Sequence, residues 1–156
     1  MLEWIEATSF GVWMRESPSI WSFPTVLTLH TAGLAMLVGG SWLLDLRLLG
    51  MNRNVPLSGY RWVFPVVSIG LLVNVVTGVM LFIKNATVLG TALPFLIKMA
   101  LVIVSAATLV PMRSLVLRSG PEQRDVGSNA RLLAIASIVG WTSAMTAGRL
   151  LAYLVV

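Results

Sequence analysis

Cysteine is absent from the chain, and its absence excludes disulfide bonds, thiolate metal sites and cysteine nucleophiles. Charged residues are scarce: they make up 11% of the chain, whereas a soluble domain carries about 25%. Histidine occurs once, as His30, so a site that needs two histidines cannot form within one chain. Glu3 and Glu6 stand where a signal peptide has its basic segment, and we expect no cleaved signal peptide here.

Apolar residues dominate what is present. They make up 57% of the 156 residues, and the mean hydropathy is +0.88. A helix needs about 20 apolar residues to cross the hydrocarbon core of a bilayer. Four predicted spans meet that length: residues 22–44, 62–83, 93–112 and 132–153. The sequence therefore predicts one all-α domain over residues 1–156, an integral membrane four-helix bundle with a short N-terminal interfacial helix within residues 2–15.

The short loops differ in their content of arginine and lysine, which sets the orientation of a membrane protein. The first-to-second and third-to-fourth loops share seven basic residues: Arg47, Arg53, Arg61, Arg113, Arg118, Arg124 and Arg131. The opposite side has Arg15 and Lys84. This bias predicts a multi-pass protein of the bacterial inner membrane with both termini in the periplasm. The net charge of +5 follows from loops that face anionic lipid, and we expect no nucleic-acid partner.

Each predicted span carries one strongly polar side chain in its outer half. At a rise of about 1.5 Å per residue, His30 and Asn74 lie roughly 12 Å below the outer surface. Lys98 lies at roughly 8 Å and Arg149 at about 5 Å. An ionisable side chain at membrane depth is costly and rare, and it marks a candidate functional site. Because four such groups facing lipid would be expensive, we expect them to face one shared interior.

Small residues occupy the helix faces beside these polar groups. The second and fourth spans each have such a face, made of Gly70, Asn74, Thr77 and Gly78 and of Ser137, Gly140, Trp141, Ala144 and Gly148. In the first span Gly33 lies one turn from His30. Close helix approach is the ordinary reason for such faces. The alternative is room for a flat ligand, with Gly33 and Trp141 beside it.

The chemistry open to His30 is limited by what accompanies it. A zinc site needs about four ligands, and a histidine hydrolase needs an acid to orient the base; within the predicted spans the sequence offers no second histidine and no carboxylate. Haem needs one strong axial ligand, commonly histidine. Lys98 and Arg149 then suit the two propionates. The alternative is a structural histidine that bonds to Asn74 or to a backbone carbonyl.

Four segments carry a resemblance over nearly the whole chain: residues 15–50 (beginning RESPSIW), 56–83 (beginning PLSGYRW), 94–104 (PFLIKMALVIV) and 141–153 (WTSAMTAGRLLAY). They resemble a family of uncharacterised four-helix bacterial membrane proteins. More distantly, the order of features is similar to the membrane domains of copper-resistance protein D and of the haem-containing bacterial protoporphyrinogen oxidase. The resemblance implies a haem b site through His30, with Lys98 as a functional residue. The further histidines of the oxidase and the methionine clusters of a copper carrier are absent from this sequence.

The resulting hypothesis is a four-helix membrane protein that binds haem b, with His30 on the iron, and transfers electrons, as an accessory subunit of a larger complex or as a homo-oligomer in the bilayer. The predicted cofactor-binding residues are His30, Gly33, Asn74, Lys98, Trp141 and Arg149. One alternative is a non-catalytic membrane anchor or assembly subunit, in which the four polar residues form a buried network. Another is an oxidase that acts on a tetrapyrrole or a quinol.

Overall fold

Seven α-helices and one short 3-10 helix make up the regular structure of the described residues. The computed structural model describes residues 2–120, 123 and 126–154. The α-helices are α1 (Leu2–Glu6), α2 (Ser9–Glu16), α3 (Phe23–Leu49), α4 (Val63–Lys84), α5 (Ala86–Thr91), α6 (Leu93–Arg118) and α7 (Ser128–Leu154). The 3-10 helix, Leu57–Tyr60, lies between α3 and α4, and the described residues contain no strand.

The four long helices α3, α4, α6 and α7 are each long and apolar enough to cross a membrane. This confirms the prediction of an all-α membrane bundle. The helices run past the predicted spans, most of all α3, which continues from residue 44 to Leu49, and α6, which continues from residue 112 to Arg118. Hydropathy falls at the first charged residues of a span, but the backbone hydrogen bonds continue until a capping residue ends the helix. Gly50 ends α3 in this way, because its φ of 107° is open to glycine.

The predicted N-terminal helix is two helices rather than one. The Thr8 hydroxyl accepts a hydrogen bond of 3.2 Å from the Gly11 N–H and so caps the start of α2. The chain therefore turns between α1 and α2. We call the end of the bundle with α1, α2 and α5 the terminal end, and the end with residues 50–62, 119, 120, 123, 126 and 127 the loop end.

Helix α3 lies at the centre of the packing. It packs against α4 and α7, and α7 packs against α6. Helices α4 and α6 meet near the terminal end, where the rings of Phe82 and Phe95 stack with their centroids 5.4 Å apart. Successive long helices run in opposite directions, so α3 is antiparallel to both of its neighbours.

Close helix contacts depend on glycine, as the small-residue faces predict. A Cβ on Gly70 of α4 would lie 2.7 Å from the Leu37 nitrogen and 2.8 Å from the Gly33 carbonyl oxygen of α3. A Cβ on Gly140 of α7 would collide with Ser105 of α6. In a membrane, van der Waals packing through small residues is a main source of helix association. These contacts explain the pairing of α3 with α4 and of α6 with α7.

The packed core lies in the half of the bundle near the loop end. It includes the fully buried Leu44, Leu48, Met112, Val116 and Ala134. The terminal half is looser: over residues 93–104 no side chain of α6 is buried, and the first buried residue of α6 is Ser105. The polar residues of the predicted site therefore lie in the more open half.

Polar contacts tie both ends of the bundle. At the loop end the Arg47 guanidinium donates to the Val55 carbonyl at 2.9 and 3.1 Å. Arg61 donates to the Leu117 and Ser119 carbonyls at 3.1 and 3.2 Å, beyond the end of the α6 hydrogen-bond ladder. These arginines thus also have structural roles that the loop-charge argument does not include.

At the terminal end, Glu6 joins α1 to α5. Its carboxylate accepts hydrogen bonds from the Thr87 hydroxyl and from the Thr87 N–H at 3.0 Å. It also pairs with Arg15 of α2 at 3.3 Å. The side-chain and backbone hydrogen bonds from Thr87, with the charge of Arg15, hold the pKa of Glu6 below its usual range.

Candidate functional site

His30 projects from α3 toward α4, where its ring meets a threonine. Its Nδ1 lies 2.8 Å from the Thr77 hydroxyl oxygen. Thr77 is buried, and its hydroxyl donates to the Val73 carbonyl of its own helix at 2.6 Å. Because the single hydroxyl proton is used in that bond, Thr77 accepts from His30, and Nδ1 of the ring carries the proton. The neutral ring then keeps its lone pair on Nε2.

Room for the ring comes from the next residue of α4. A Cβ on Gly78 would lie 3.5 Å from His30 Cε1, in ordinary van der Waals contact with the ring. The face of α4 predicted from Gly70, Asn74, Thr77 and Gly78 therefore does face α3. The prediction that the small residues of the second span line the bundle interior is confirmed.

Lys98 lies in the first turns of α6, near the terminal end. Its alkyl chain crosses Gly148 of α7, where a Cβ would lie 3.3 Å from Lys98 Cε. The ammonium group is close enough to His30 to interact with it electrostatically. Within the described part of the chain, no acceptor forms a hydrogen bond or ion pair with this ammonium group. The structure thus places an unpaired cation near the only histidine.

Asn74 and Gly33 lie together where α3 crosses α4. The Asn74 amide donates to the Gly70 carbonyl of its own helix at 3.2 Å. A Cβ on Gly33 would lie 2.8 Å from Asn74 Nδ2 and 2.8 Å from Val73 Cγ1. The space beside Gly33 is therefore filled by α4 side chains.

The other two predicted residues lie on α7, apart from each other. Arg149 is exposed near the terminal end. Trp141 is buried in the packed core, two turns from Gly148, which is about 10 Å along the helix. No two of His30, Asn74, Lys98 and Arg149 are hydrogen-bonded to each other in the described residues, so the four do not form the single polar network of the anchor hypothesis.

One prediction about this region is wrong. The sequence argument found no carboxylate at membrane depth, but Asp45 of α3 lies inside a membrane-length helix and is fully buried. Its Oδ2 accepts a hydrogen bond of 2.9 Å from the Ser137 hydroxyl of α7. The error came from ending the first span at residue 44, at the last apolar residue before the charge. The spacing of Ser41 and Asp45, one helical turn apart, could have indicated a buried polar stripe.

The described residues give His30 no partners for a metal site with several protein ligands. The described residues contain no group of three histidine, cysteine or acidic side chains that could hold a metal ion. Asp45 lies 15 residues after His30 on the same helix, a distance of about 22 Å, so the two cannot share a metal. His30 is therefore a single-histidine site. No protein-family model, curated protein or solved structure matches the chain.

Proposed function

We propose that the protein binds haem b at His30 and serves as a one-electron carrier in the membrane. The observation that carries this proposal is the hydrogen bond from His30 Nδ1 to Thr77. It leaves Nε2 as the coordinating atom, and ligating histidines commonly use the second nitrogen to donate to a fixed acceptor. When bound, the haem iron supplies one-electron chemistry between its ferric and ferrous states.

The unpaired ammonium group of Lys98 favours a ligand that carries a negatively charged group. An ammonium group in an apolar environment is costly unless it is paired. A haem propionate would supply the missing acceptor, and Lys98 would in turn fix the orientation of the macrocycle. Arg149, one residue beyond Gly148, is exposed near the terminal end; its pairing with the second propionate stays a prediction.

The loose packing of the first half of α6 supports the proposal. Over residues 93–104 no side chain of α6 is fully buried, and the contact of this segment with α4 is the stack of Phe95 on Phe82. A flat macrocycle would lie beside this segment, near His30 and Lys98, whose side chains cover Gly78 and Gly148, rather than at Gly33, where α4 leaves no room. Asn74 and Trp141 then act through packing and not through contact with the cofactor.

The spectrum of the purified protein tests the proposal. Protein from haem-replete cells should show a Soret band and a b-type reduced spectrum. His30→Ala should lose both while it still inserts into the membrane, because no other histidine can replace it. Asn74→Ala is the matched control and should keep the spectrum. A colourless wild-type preparation, or an unchanged spectrum in His30→Ala, contradicts the proposal.

We further propose that the protein lies in the bacterial inner membrane with the terminal end in the periplasm. The arginines of the loop end support this orientation, since basic loops are retained on the cytoplasmic side. Arg124, one of the seven, lies outside the described residues. In this orientation His30 and Lys98 lie in the outer half of the bilayer, and a partner subunit would exchange electrons with the haem from the periplasmic side.

A further inference from the structure

A second polar cluster lies in the loop half of the bundle, away from His30. Asp45 has no exposed surface, and its Oδ2 bonds to Ser137 Oγ across the α3 and α7 interface. Its Oδ1 is buried as well, and among the described residues it has no hydrogen-bond partner. A buried polar atom without a partner is costly and calls for a functional explanation.

Two buried hydrogen-bond donors also lack a partner. Within the described part of the chain, the indole N–H groups of Trp42 on α3 and Trp141 on α7 have no acceptor. Trp42 precedes Asp45 by three residues, and Trp141 follows Ser137 by four. Because α3 and α7 are antiparallel, the backbones of both tryptophans lie about 5 Å toward the terminal end from the Asp45 and Ser137 pair. One unpaired acceptor and two unpaired donors thus occupy neighbouring levels of two packed helices.

One water molecule would give all three unpaired groups a hydrogen-bond partner. A water molecule can accept hydrogen bonds from the two indoles and donate to Oδ1 of an ionised Asp45. When the carboxyl is protonated, its O–H can donate to the same water molecule. Both charge states of Asp45 then have partners for their polar atoms, which is the condition for reversible proton binding in a buried place.

A metal cation suits the cluster poorly. Hard cations take about six oxygen ligands, whereas the hydroxyl beside Asp45 donates to it and the unpartnered indoles of the neighbouring turns can only donate. Donors favour an anion or a neutral acid in their midst, not a cation. A proton is therefore the ligand that the cluster fits.

We propose that Asp45, Ser137, Trp42 and Trp141 form a buried proton-binding site that exchanges its proton through the loop end. Asp45 lies four residues before the end of α3, about 6 Å along the axis, and 22 residues after its start, about 33 Å. The shorter of these two distances is the one to the loop end. Intramembrane carboxyl groups commonly serve as proton relays, and this site does not depend on haem binding at His30.

The other described ionisable side chains of the loop half differ from Asp45 chemically. They include Arg47 on α3, Tyr60 on the 3-10 helix, Arg61 before α4, and the exposed Arg113 and Arg131 on α6 and α7. None of these carries a carboxyl group. The whole chain has six acidic residues, so an infrared signal from a protonated carboxyl can be assigned by single substitutions.

Infrared difference spectroscopy of the purified protein in lipid nanodiscs tests the site, over about pH 5 to pH 9, a range in which an ordinary aspartate stays ionised. We expect a protonated carboxyl band that decreases as the pH rises and shifts in D2O. Asp45→Asn should abolish it. Ser137→Ala should move it to higher frequency, because the hydrogen bond to the carbonyl oxygen is lost. Glu6→Gln, at the other end of the bundle, is the control and should leave it unchanged.

Three outcomes overturn the proposal: no protonated carboxyl band at any pH at which the protein is folded, a band that Asp45→Asn retains, or a band that does not change with pH. A band that Asp45→Asn retains places the proton on another group. A band that does not change with pH makes Asp45 a permanently neutral structural acid. If Asp45→Asn fails to insert, Ser137→Ala and Trp141→Phe each remove one partner and must still shift the band.

Discussion

At the scale of single residues, the pairing of His30 with Thr77 gives the lone histidine a defined chemistry. A histidine at membrane depth is by itself compatible with a structural bond or with ligation. The Thr77 hydroxyl decides which nitrogen holds the proton, since its own proton is committed to Val73. The ring is thereby oriented and keeps one nitrogen available.

Substitution of Thr77 should separate a ligand from a structural histidine. Thr77→Val removes the acceptor for Nδ1–H at nearly constant volume, and loss of such an outer partner typically weakens metal affinity by about 10–100-fold. We expect lower haem retention and a higher reduction potential, because a less basic imidazole stabilises the ferric state less. Thr77→Ser should keep both near wild type. A spectroelectrochemical titration measures the potential, and equal potentials in Thr77→Val and wild type contradict the ligand role.

At the scale of helices, the crossing of α3 and α4 depends on the absence of a side chain at Gly70. The two atoms nearest to a Cβ at this position would be backbone atoms of α3, which cannot rotate away. The helices themselves would have to separate.

Gly70→Ala should therefore lower the free energy of unfolding by about 1–3 kcal/mol, the usual cost of overpacking. Gly39, in α3, is a matched control, since a Cβ there meets nothing within 4 Å. Gly39→Ala should be neutral or stabilise by up to about 1 kcal/mol, because alanine favours the helix. Thermal unfolding in one detergent, followed by circular dichroism, compares the two. Equal midpoints would show that the crossing does not need glycine.

The contact between α1 and α5 should depend on pH. Glu6 binds Thr87 as a carboxylate, and its folded pKa lies below the ordinary value of 4.5. Its contribution to docking is therefore fully present above pH 4.5 and is lost as the pH falls through the lower folded pKa. We expect the amides of α1 to exchange hydrogen faster in that acidic range.

Glu6→Gln should make the same amides exchange faster at neutral pH and should flatten the pH dependence. Glu3→Gln, on the same helix, tests for a general charge effect and should behave like wild type. Hydrogen exchange followed by mass spectrometry measures each variant. A pH dependence that survives in Glu6→Gln would remove this residue from the contact.

At the scale of the whole molecule, the two ends differ in packing and in charge. The loop half holds the packed core, the Asp45 cluster and the arginines that bind loop carbonyls. The terminal half is open and holds His30 and Lys98. The proposed orientation puts the open half toward the periplasm.

Single cysteines test this orientation in the cysteine-free chain. Suitable sites are exposed: Trp4 at the terminal end and Met51 and Gly120 at the loop end. In intact cells with a permeable outer membrane, an impermeant maleimide should label Trp4→Cys and not the other two. Labelling of Met51→Cys and Gly120→Cys alone would invert the topology.

The sequence by itself determined the class and the main elements of the protein. Length and hydropathy are local properties, so four membrane-length helices could be predicted before any contact was known. The small-residue faces followed from the period of the helix, and they correctly placed Gly70, Thr77 and Gly78 toward the interior.

Only the tertiary structure decided which polar groups meet. Whether His30 bonds to Thr77 or to Asn74 depends on the rotation of two helices about their axes, which a periodic pattern does not fix. Asp45 could not be placed from hydropathy, because a charge at the end of an apolar run looks solvent-exposed until Ser137 of a distant helix is brought beside it. The central place of α3, which packs against both α4 and α7, likewise follows from packing order. A sequence of four similar helices does not specify that order.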